Sequence, residues 1–452
     1  MEYYKKTYGK DKHRHRCDNV GQTPPTLHRD AATNTIPMTL LASGAPAEEE
    51  SCPVAVPSAA KLRASAAILE RVATSNYARR KQMKIMSRAP VAVGPWPEIS
   101  RLFRWDAPRL GTDDAVTALA WNRDPTLMAV GHGTLHWATS ENAFGIVRVW
   151  SVKNPLHPER EFFTPAPVSV ISFAPHRPAI LAIGCRDGLV FMASLVLPDQ
   201  PLLPVRPFHT APITSFAWLR FPSKTVHLAS AAGDGQILVR PLDPSVSPNR
   251  PPHPPMRVQL PRFPPANGSA CALATHQDDP DKLLVGTVCG KVFSTQVSRR
   301  GPLGGSLKAH HGAVSALERS PFASEIFVSS GADGDMIVWQ EAEDFVASDA
   351  HLVRRFKCGA YEPVEACIWS PTHATLLVAL VGNLVQLWDV RRETPVAVYD
   401  TGERCSALAF NSAGDRLLVG AASGHVRLFQ VSATRAPRLP RAALLKALAL
   451  ES

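Results

Sequence analysis

Gly331-Ala-Asp-Gly-Asp-Met-Ile-Val-Trp339 is the stretch on which the reading of this chain turns. Asp333-Gly334 predicts a two-residue type I′ turn, because such a turn needs φ > 0 at both central positions and this pair tolerates it. Short β-rich runs flank it, Phe327-Val-Ser-Ser330 and Met336-Ile-Val-Trp339, so the unit reads as a hairpin. Upstream, Ala309-His-His-Gly312 leads into another strand, Val314-Ser-Ala-Leu317, which stops at Ser320-Pro321.

The unit recurs. Strand ends comparable to Trp339 fall at Trp150, Phe191, Val239, Phe293, Trp388 and Phe429, giving seven copies at intervals of 41, 48, 54, 46, 49 and 41 residues. Hairpin signals precede them: Asp187-Gly188, Asp234-Gly235, Cys289-Gly290, Gly382-Asn383 and Ser423-Gly424. Each hairpin follows an apolar run such as Ile180-Leu-Ala-Ile183, Leu376-Leu-Val378 or Leu417-Leu-Val419. A His-Gly turn, a strand, a hairpin and a terminal Trp together resemble one WD40 repeat, about 40–45 residues long and equal to one propeller blade. The expected fold is therefore all-β, a seven-bladed WD40 β-propeller over residues 98–431.

Ring closure makes a further demand. The last copy ends at Phe429, the third strand of its blade, so the seventh blade lacks an outer strand. Ser100-Arg-Leu-Phe-Arg-Trp105 is the expected donor, which would leave no open edge between first and last blades.

The flanks read differently. Residues 1–57 are polar and aperiodic and are expected to be a disordered basic tail. Within it, His13-Arg-His15-Arg-Cys17 offers too few ligands for a metal site. Residues 58–90 hold an Ala-rich stretch with Leu62, Ala66, Leu69 and Ala73 on one stripe, predicting a helix over about 59–86. Its stripe, with Leu62, Leu69 and Val72 as the candidate contacts, either packs on the propeller or binds a partner. Ten prolines in the segment 241–265 predict an exposed, partly polyproline II loop rather than an interior strand. Residues 432–452 read as a basic tail with a short amphipathic helix, Arg441-Ala-Ala-Leu-Leu-Lys-Ala-Leu-Ala-Leu450.

The formal charge of +10 is unevenly placed. Residues 1–90 carry fifteen basic and eight acidic groups, and residues 432–452 carry four and one, so residues 91–431 are formally neutral. A neutral body argues against nucleic acid as a partner. The eight cysteines form no CxxC pair and suit buried free thiols in a reducing compartment. No apolar run approaches a membrane span and no signal-peptide core opens the chain, so a cytoplasmic, non-membrane protein is expected. A phosphate loop, an HExxH helix and a nucleophile elbow are all missing from the sequence, so no enzyme, catalytic residue, cofactor or metal is expected.

Gly145-Ile-Val-Arg-Val-Trp-Ser-Val-Lys-Asn-Pro155 and His157-Pro-Glu-Arg160 resemble the first-blade exit of dynein intermediate chains. Val168-Ser-Val-Ile-Ser-Phe173, Pro178-Ala-Ile-Leu-Ala-Ile-Gly184 and Phe103-Arg-Trp105 resemble strands of the same family, and Leu69-Glu-Arg-Val72 resembles its pre-propeller helix. The form is most like axonemal inner-arm chains of the two-headed type. What the resemblance implies is a non-catalytic scaffold on the axonemal cytoskeleton of cilia and flagella. Its implied partners are a dynein heavy chain, dynein light chains, a second intermediate chain and, indirectly, the microtubule axoneme. Departures accompany the likeness: Gln22-Thr23 is preceded by Gly21, so the light-chain ligand strands expected near the N-terminus are degraded or missing. A second resemblance competes, because Trp388-Asp-Val-Arg391 matches the Trp-Asp-x-Arg element of substrate receptors of cullin-type ubiquitin ligases.

Overall fold

The computed structural model describes residues 59–77, 83, 97–106, 115–134, 144–175, 177–196, 202–205, 208–221, 226–242, 256–259, 269–298, 301–342, 347–359, 362–432 and 440–449. The expectations about the tail at 1–57, the helix past Tyr77 and most of the proline-rich segment lie outside these residues.

Seven four-stranded antiparallel sheets form the blades of a seven-bladed β-propeller. They span residues 115–164, 168–204, 213–259, 270–308, 314–357 and 364–400, with 405–432 completed by Glu98–Trp105. That last strand pairs antiparallel with Val426–Ser432, from Glu98 opposite Ser432 to Trp105 opposite Val426. Its side chains fill both sides of the seam. Trp105 is buried with Val116, Met128 and Trp150 of blade one, while Ile99 packs beside Leu387 and Phe429. The ring is thus joined by a strand from before the first repeat, and the seventh blade gains its outer hydrogen-bonding partner.

The second strands show why the apolar runs are continuous. Ile326–Gly331, Leu376–Val381 and Arg416–Ala421 are buried at every position, because each lies mid-sheet with a neighbouring blade on both faces. Core clusters accordingly form between blades rather than within them.

All seven innermost strands share one irregularity. Register shifts fall at Val116/Ala118, Val168/Val170, Ile213/Ser215, Ala270/Ala272, Val314/Ala316, Val364/Ala366 and Cys405/Ala407. Such a bulge sharpens the local twist and turns the skipped side chain off the pleat. Three of the skipped residues stitch one blade to the next: Thr214 Oγ1 donates to the Ala270 carbonyl at 2.7 Å, Ser315 donates to the Val364 carbonyl, and Ser406 to that of Val116. The last crosses the closure between blades seven and one.

Two expectations are corrected. The Asp-Gly hairpins are not type I′ turns, because only the glycines hold positive φ: Gly188 at 84°, Gly235 at 73°, Gly334 at 82°. Gly334 N–H donates to the Gly331 carbonyl at 3.2 Å, so the glycine closes the turn from the fourth position. Asp333 keeps ordinary φ because its carboxylate is committed to neighbouring N–H groups, from Asp335 at 3.3 Å and His311 at 3.0 Å. The proline-rich segment also contributes strands. Gln236–Leu242 runs through Pro241 as an interior strand, and Met256–Gln259 is the outer strand of blade three. Pro241 is tolerated because the outer strand reaches only as far as Val239, so no ladder acceptor awaits its missing N–H.

Among the described residues two helices flank the strands in sequence. Helix α1, Ala59–Tyr77, carries Leu62, Leu69 and Val72, all exposed, as is Ile68. Helix α2, Pro440–Ala447, and the turn after it bury Leu444, Leu445 and Leu448 in one cluster with Ile326, Trp369, Ala374 and Val390 of blades five and six. Arg441 adds an ion pair with Glu325 at 2.8 Å. The partner of the C-terminal helix, which its sequence left open, is therefore the propeller itself.

Candidate partner-binding sites

Each blade has a leading end, where its innermost strand begins beside the Asp-Gly hairpins, and a trailing end, where that strand stops. At the leading end, the pairs His310–Asp333 and His209–Asp234 lock the turns of blades five and three. In blade five Trp339 Nε1–H donates to Ser329 Oγ at 2.9 Å, Ser329 lies 2.8 Å from His310 Nε2, and His310 Nδ1 lies 2.9 Å from Asp333. Blade three repeats the chain through His209, Asp234 and Ser230, with Arg240 Nη1 at 2.9 Å from Ser230 where the other blade has Trp. Burial lowers the pKa of His209, against the opposing pull of Asp234, which favours the neutral ring. Of the adjacent pair His310-His311, His310 is buried and His311 is exposed. His209 and His310 hold loops in place, and both ring nitrogens of each are engaged.

The Trp-Asp-x-Arg element is likewise consumed internally. Asp389 is buried and accepts from Arg391 Nε at 2.8 Å, Arg391 Nη2 at 2.6 Å and Thr375 Oγ1 at 3.1 Å. Its role as a loop clamp accounts for the motif without any ligase adaptor.

Among the described residues no cluster of His, Cys, Asp or Glu is arranged to hold a metal ion, and no helix is long and apolar enough to cross a membrane. The six described cysteines are free thiols. Burial pushes Cys185 and Cys367 up to about 12, so neither supplies a thiolate near neutrality.

The trailing end holds a site that the repeat pattern alone did not single out. A cavity of about 520 Å³ lies where five innermost strands end, with Trp121, Phe173, Trp369 and Phe410 in its wall beside Glu318. Aligned on their bulges, the fifth positions of the innermost strands read Ala120, Ser172, Ala217, Ala274, Glu318, Ile368 and Ala409, and the sixth read Trp121, Phe173, Trp218, Thr275, Arg319, Trp369 and Phe410. Blade five alone puts Glu-Arg there, which is the signal that an alignment of the repeats would have exposed. Arg319 turns away to a buried pair with Glu341 at 2.8 Å. Glu318 Oε2 instead accepts the Trp369 backbone N–H at 2.7 Å.

Burial pushes the Glu318 carboxyl up to about 7, only partly offset by the Trp369 N–H. Glu318 lines the cavity and is only partly exposed. Its folded pKa lies above the unfolded value, so its contribution to stability is complete below about pH 4.5 and fades as pH rises through 7. Glu318→Gln should therefore raise stability by about 1–3 kcal/mol at pH 8, with the gain shrinking toward zero near pH 5. Chemical denaturation of both proteins at the two pH values checks this; a pH-independent difference would show that the acid is not titrating there.

The exposed stripe on α1 is the other apolar surface of interest. Leu62, Leu69 and Val72 are each more than half exposed. Glu70, on the same helix, lies 3.8 Å from His157 of blade one, with both side chains largely exposed.

No family profile matches the chain. Individual relatives do. It is 26% identical over 346 residues to Dynein axonemal intermediate chain 4 of Homo sapiens, covering 70% of this chain and 39% of that protein. It is 26% identical over 369 residues to Cytoplasmic dynein 2 intermediate chain 2 of Mus musculus, covering 72% of this chain and 67% of the relative. Dynein axonemal intermediate chain 1 of Rattus norvegicus matches at 26% over 240 residues, half of this chain and 34% of that protein. The chain thus spans about two fifths of the length of the axonemal chain 4 relatives it matches. By sequence this chain is a homologue of the dynein intermediate chains, axonemal and cytoplasmic, at modest identity over about 70% of its length.

Proposed function

We propose that this chain is a non-catalytic intermediate chain of an axonemal dynein motor. The propeller holds the tail of a heavy chain, and α1 recruits a roadblock-like light chain through Leu62, Leu69 and Val72. A second intermediate chain completes the assembly, which works on the microtubule axoneme of a cilium or flagellum. The observation that carries this reading is the match to axonemal chain 4, which extends over most of the chain. Geometry supports it in two ways. A closed ring presents loops on a stiff frame, which suits a large partner, and α1 leaves three large apolar side chains exposed at helical spacing. The neutral body of residues 91–431 implies an interface of apolar and hydrogen-bonding contacts, whose affinity should depend only modestly on salt. The ubiquitin-ligase alternative finds no support in the relatives and none in Asp389, whose carboxylate is already spoken for.

Affinity isolation of the full chain from ciliated cells, at low and at moderate salt, tests the proposal. A dynein heavy chain and light chains should be recovered at both. Each leucine buried at an interface contributes about 1.5–3 kcal/mol, so Leu62→Asp with Leu69→Asp should strip off the light chain while the heavy chain and the propeller's melting stay unchanged. Recovery of a cullin adaptor without a heavy chain would overturn the reading. Unfolding of the propeller by the double substitution would make α1 a structural brace instead.

A further inference from the structure

We infer that the cavity at the trailing end, beside Glu318, is a binding site for a basic side chain, a lysine or arginine presented by a partner protein. The inference stands apart from the motor assignment, since it rests on the cavity alone. The space, about 520 Å³, is large enough for one such side chain and its flanking peptide. Its wall is mostly aromatic and aliphatic: Trp121, Phe173, Ile368, Trp369 and Phe410. Into this wall the fold sets one carboxylate, Glu318, where six other blades place a small or aliphatic residue.

Two polar groups there are left wanting. Glu318 receives a single hydrogen bond, from the Trp369 N–H, so one carboxylate oxygen has no donor among the described residues. The Trp369 indole is 2% exposed and its Nε1–H has no partner among the described residues. The comparable indoles do better: Trp121 donates to the Ala409 carbonyl at 3.2 Å and Trp218 to Ser172 at 2.8 Å, each reaching the preceding blade. Both unmet groups belong to residues that line the cavity.

A cation satisfies the first with a charge-assisted hydrogen bond and gains attraction to the surrounding rings. The remaining charged residue of the lining, Arg123, is exposed at the rim, where its charge is solvated and favours an acidic neighbour next to the inserted cation. Burying an unpaired carboxylate is costly, so the site holds its acid at a stability penalty that a bound cation removes.

The test uses the full chain and three short peptides that differ only at the centre: acetyl-Gly-Asp-Lys-Gly-amide, its Arg counterpart and its Gln counterpart. Trp121 and Trp369 serve as the fluorescent reporters. The Lys or Arg peptide should give a saturable change, with the Gln peptide bound about tenfold or more weakly. Glu318→Gln should abolish that preference, while Glu362→Gln, an acid at the leading end of blade six, should leave it intact. Glu318→Gln is expected to fold at least as well as the native chain, so a loss of binding would not reflect unfolding. Equal binding of all three peptides, or a preference that survives Glu318→Gln or disappears in Glu362→Gln, would overturn the assignment.

Discussion

Deleting residues 98–105 should abolish cooperative melting and drive the protein into aggregates, whereas deleting residues 1–57 should leave the melt unchanged. The deleted strand supplies the outer ladder of blade seven, from Glu98 opposite Ser432 to Trp105 opposite Val426. Its loss bares a strand edge of seven residues, Val426–Ser432, with the pairing groups that template aggregation. It also empties the seam. Trp105 is 4% exposed among Val116, Trp150 and Leu428, and Phe103 meets it edge-on with ring centroids 4.6 Å apart. Truncating one buried tryptophan costs about 3–5 kcal/mol, and the whole fold has about 5–15 kcal/mol to lose. Trp105→Ala should therefore lower the melting temperature markedly while keeping a single transition, and the deletion should remove the transition. Scanning calorimetry with light scattering distinguishes the two; a deletion variant that melts like the native chain would mean that the ring closes without this strand.

The second large effect is expected at the C-terminus. Leu444→Asp together with Leu445→Asp should destabilise the propeller by several kcal/mol, although both residues lie beyond the last blade. Leu444 is fully buried and Leu445 is 6% exposed, in the same cluster as Ile326, Val338, Trp369 and Val390. A buried leucine truncated to alanine costs about 2–5 kcal/mol, and a buried carboxylate adds its own desolvation. Arg441→Ala, which breaks only the exposed pair with Glu325, should cost about 0–1 kcal/mol. Urea denaturation of the three proteins gives the ranking. If the double substitution costs no more than Arg441→Ala, the helix merely rests on blades five and six and does not complete their core.

The proline-rich segment and the C-terminal helix mark where sequence reading reached its limit. Proline statistics warn against an interior strand, and they are right about the ladder: Pro241 lies past the reach of the outer strand. They cannot say where that reach ends, because strand length in blade three depends on Met256–Gln259 returning from beyond the loop. The Asp-Gly hairpins were placed correctly and typed wrongly. Both turn types want glycine at the left-handed position, and only the carboxylate contacts of Asp333 and Asp234 reveal which geometry the chain adopts. Glu318 was written in the repeat all along, as a lone acid at a position that six blades fill with small or aliphatic residues, but its meaning required the cavity.

The sequence by itself determined the repeat, the count of seven blades, the donor of the closing strand and the likeness to dynein intermediate chains. These follow from local chemistry, since apolar alternation, glycine's left-handed backbone and the spacing of strand ends are read within about fifty residues. Only the tertiary structure decided that His310 rather than His311 joins Asp333, that α2 completes the core of blades five and six, and that Glu318 sits among aromatic rings with one hydrogen bond. Those relations join residues as far apart as Arg441 and Glu325, or Ser406 and Val116, whose meeting depends on the summed twist and closure of seven sheets. No local pattern records that sum, because every blade contributes to it and none contains it.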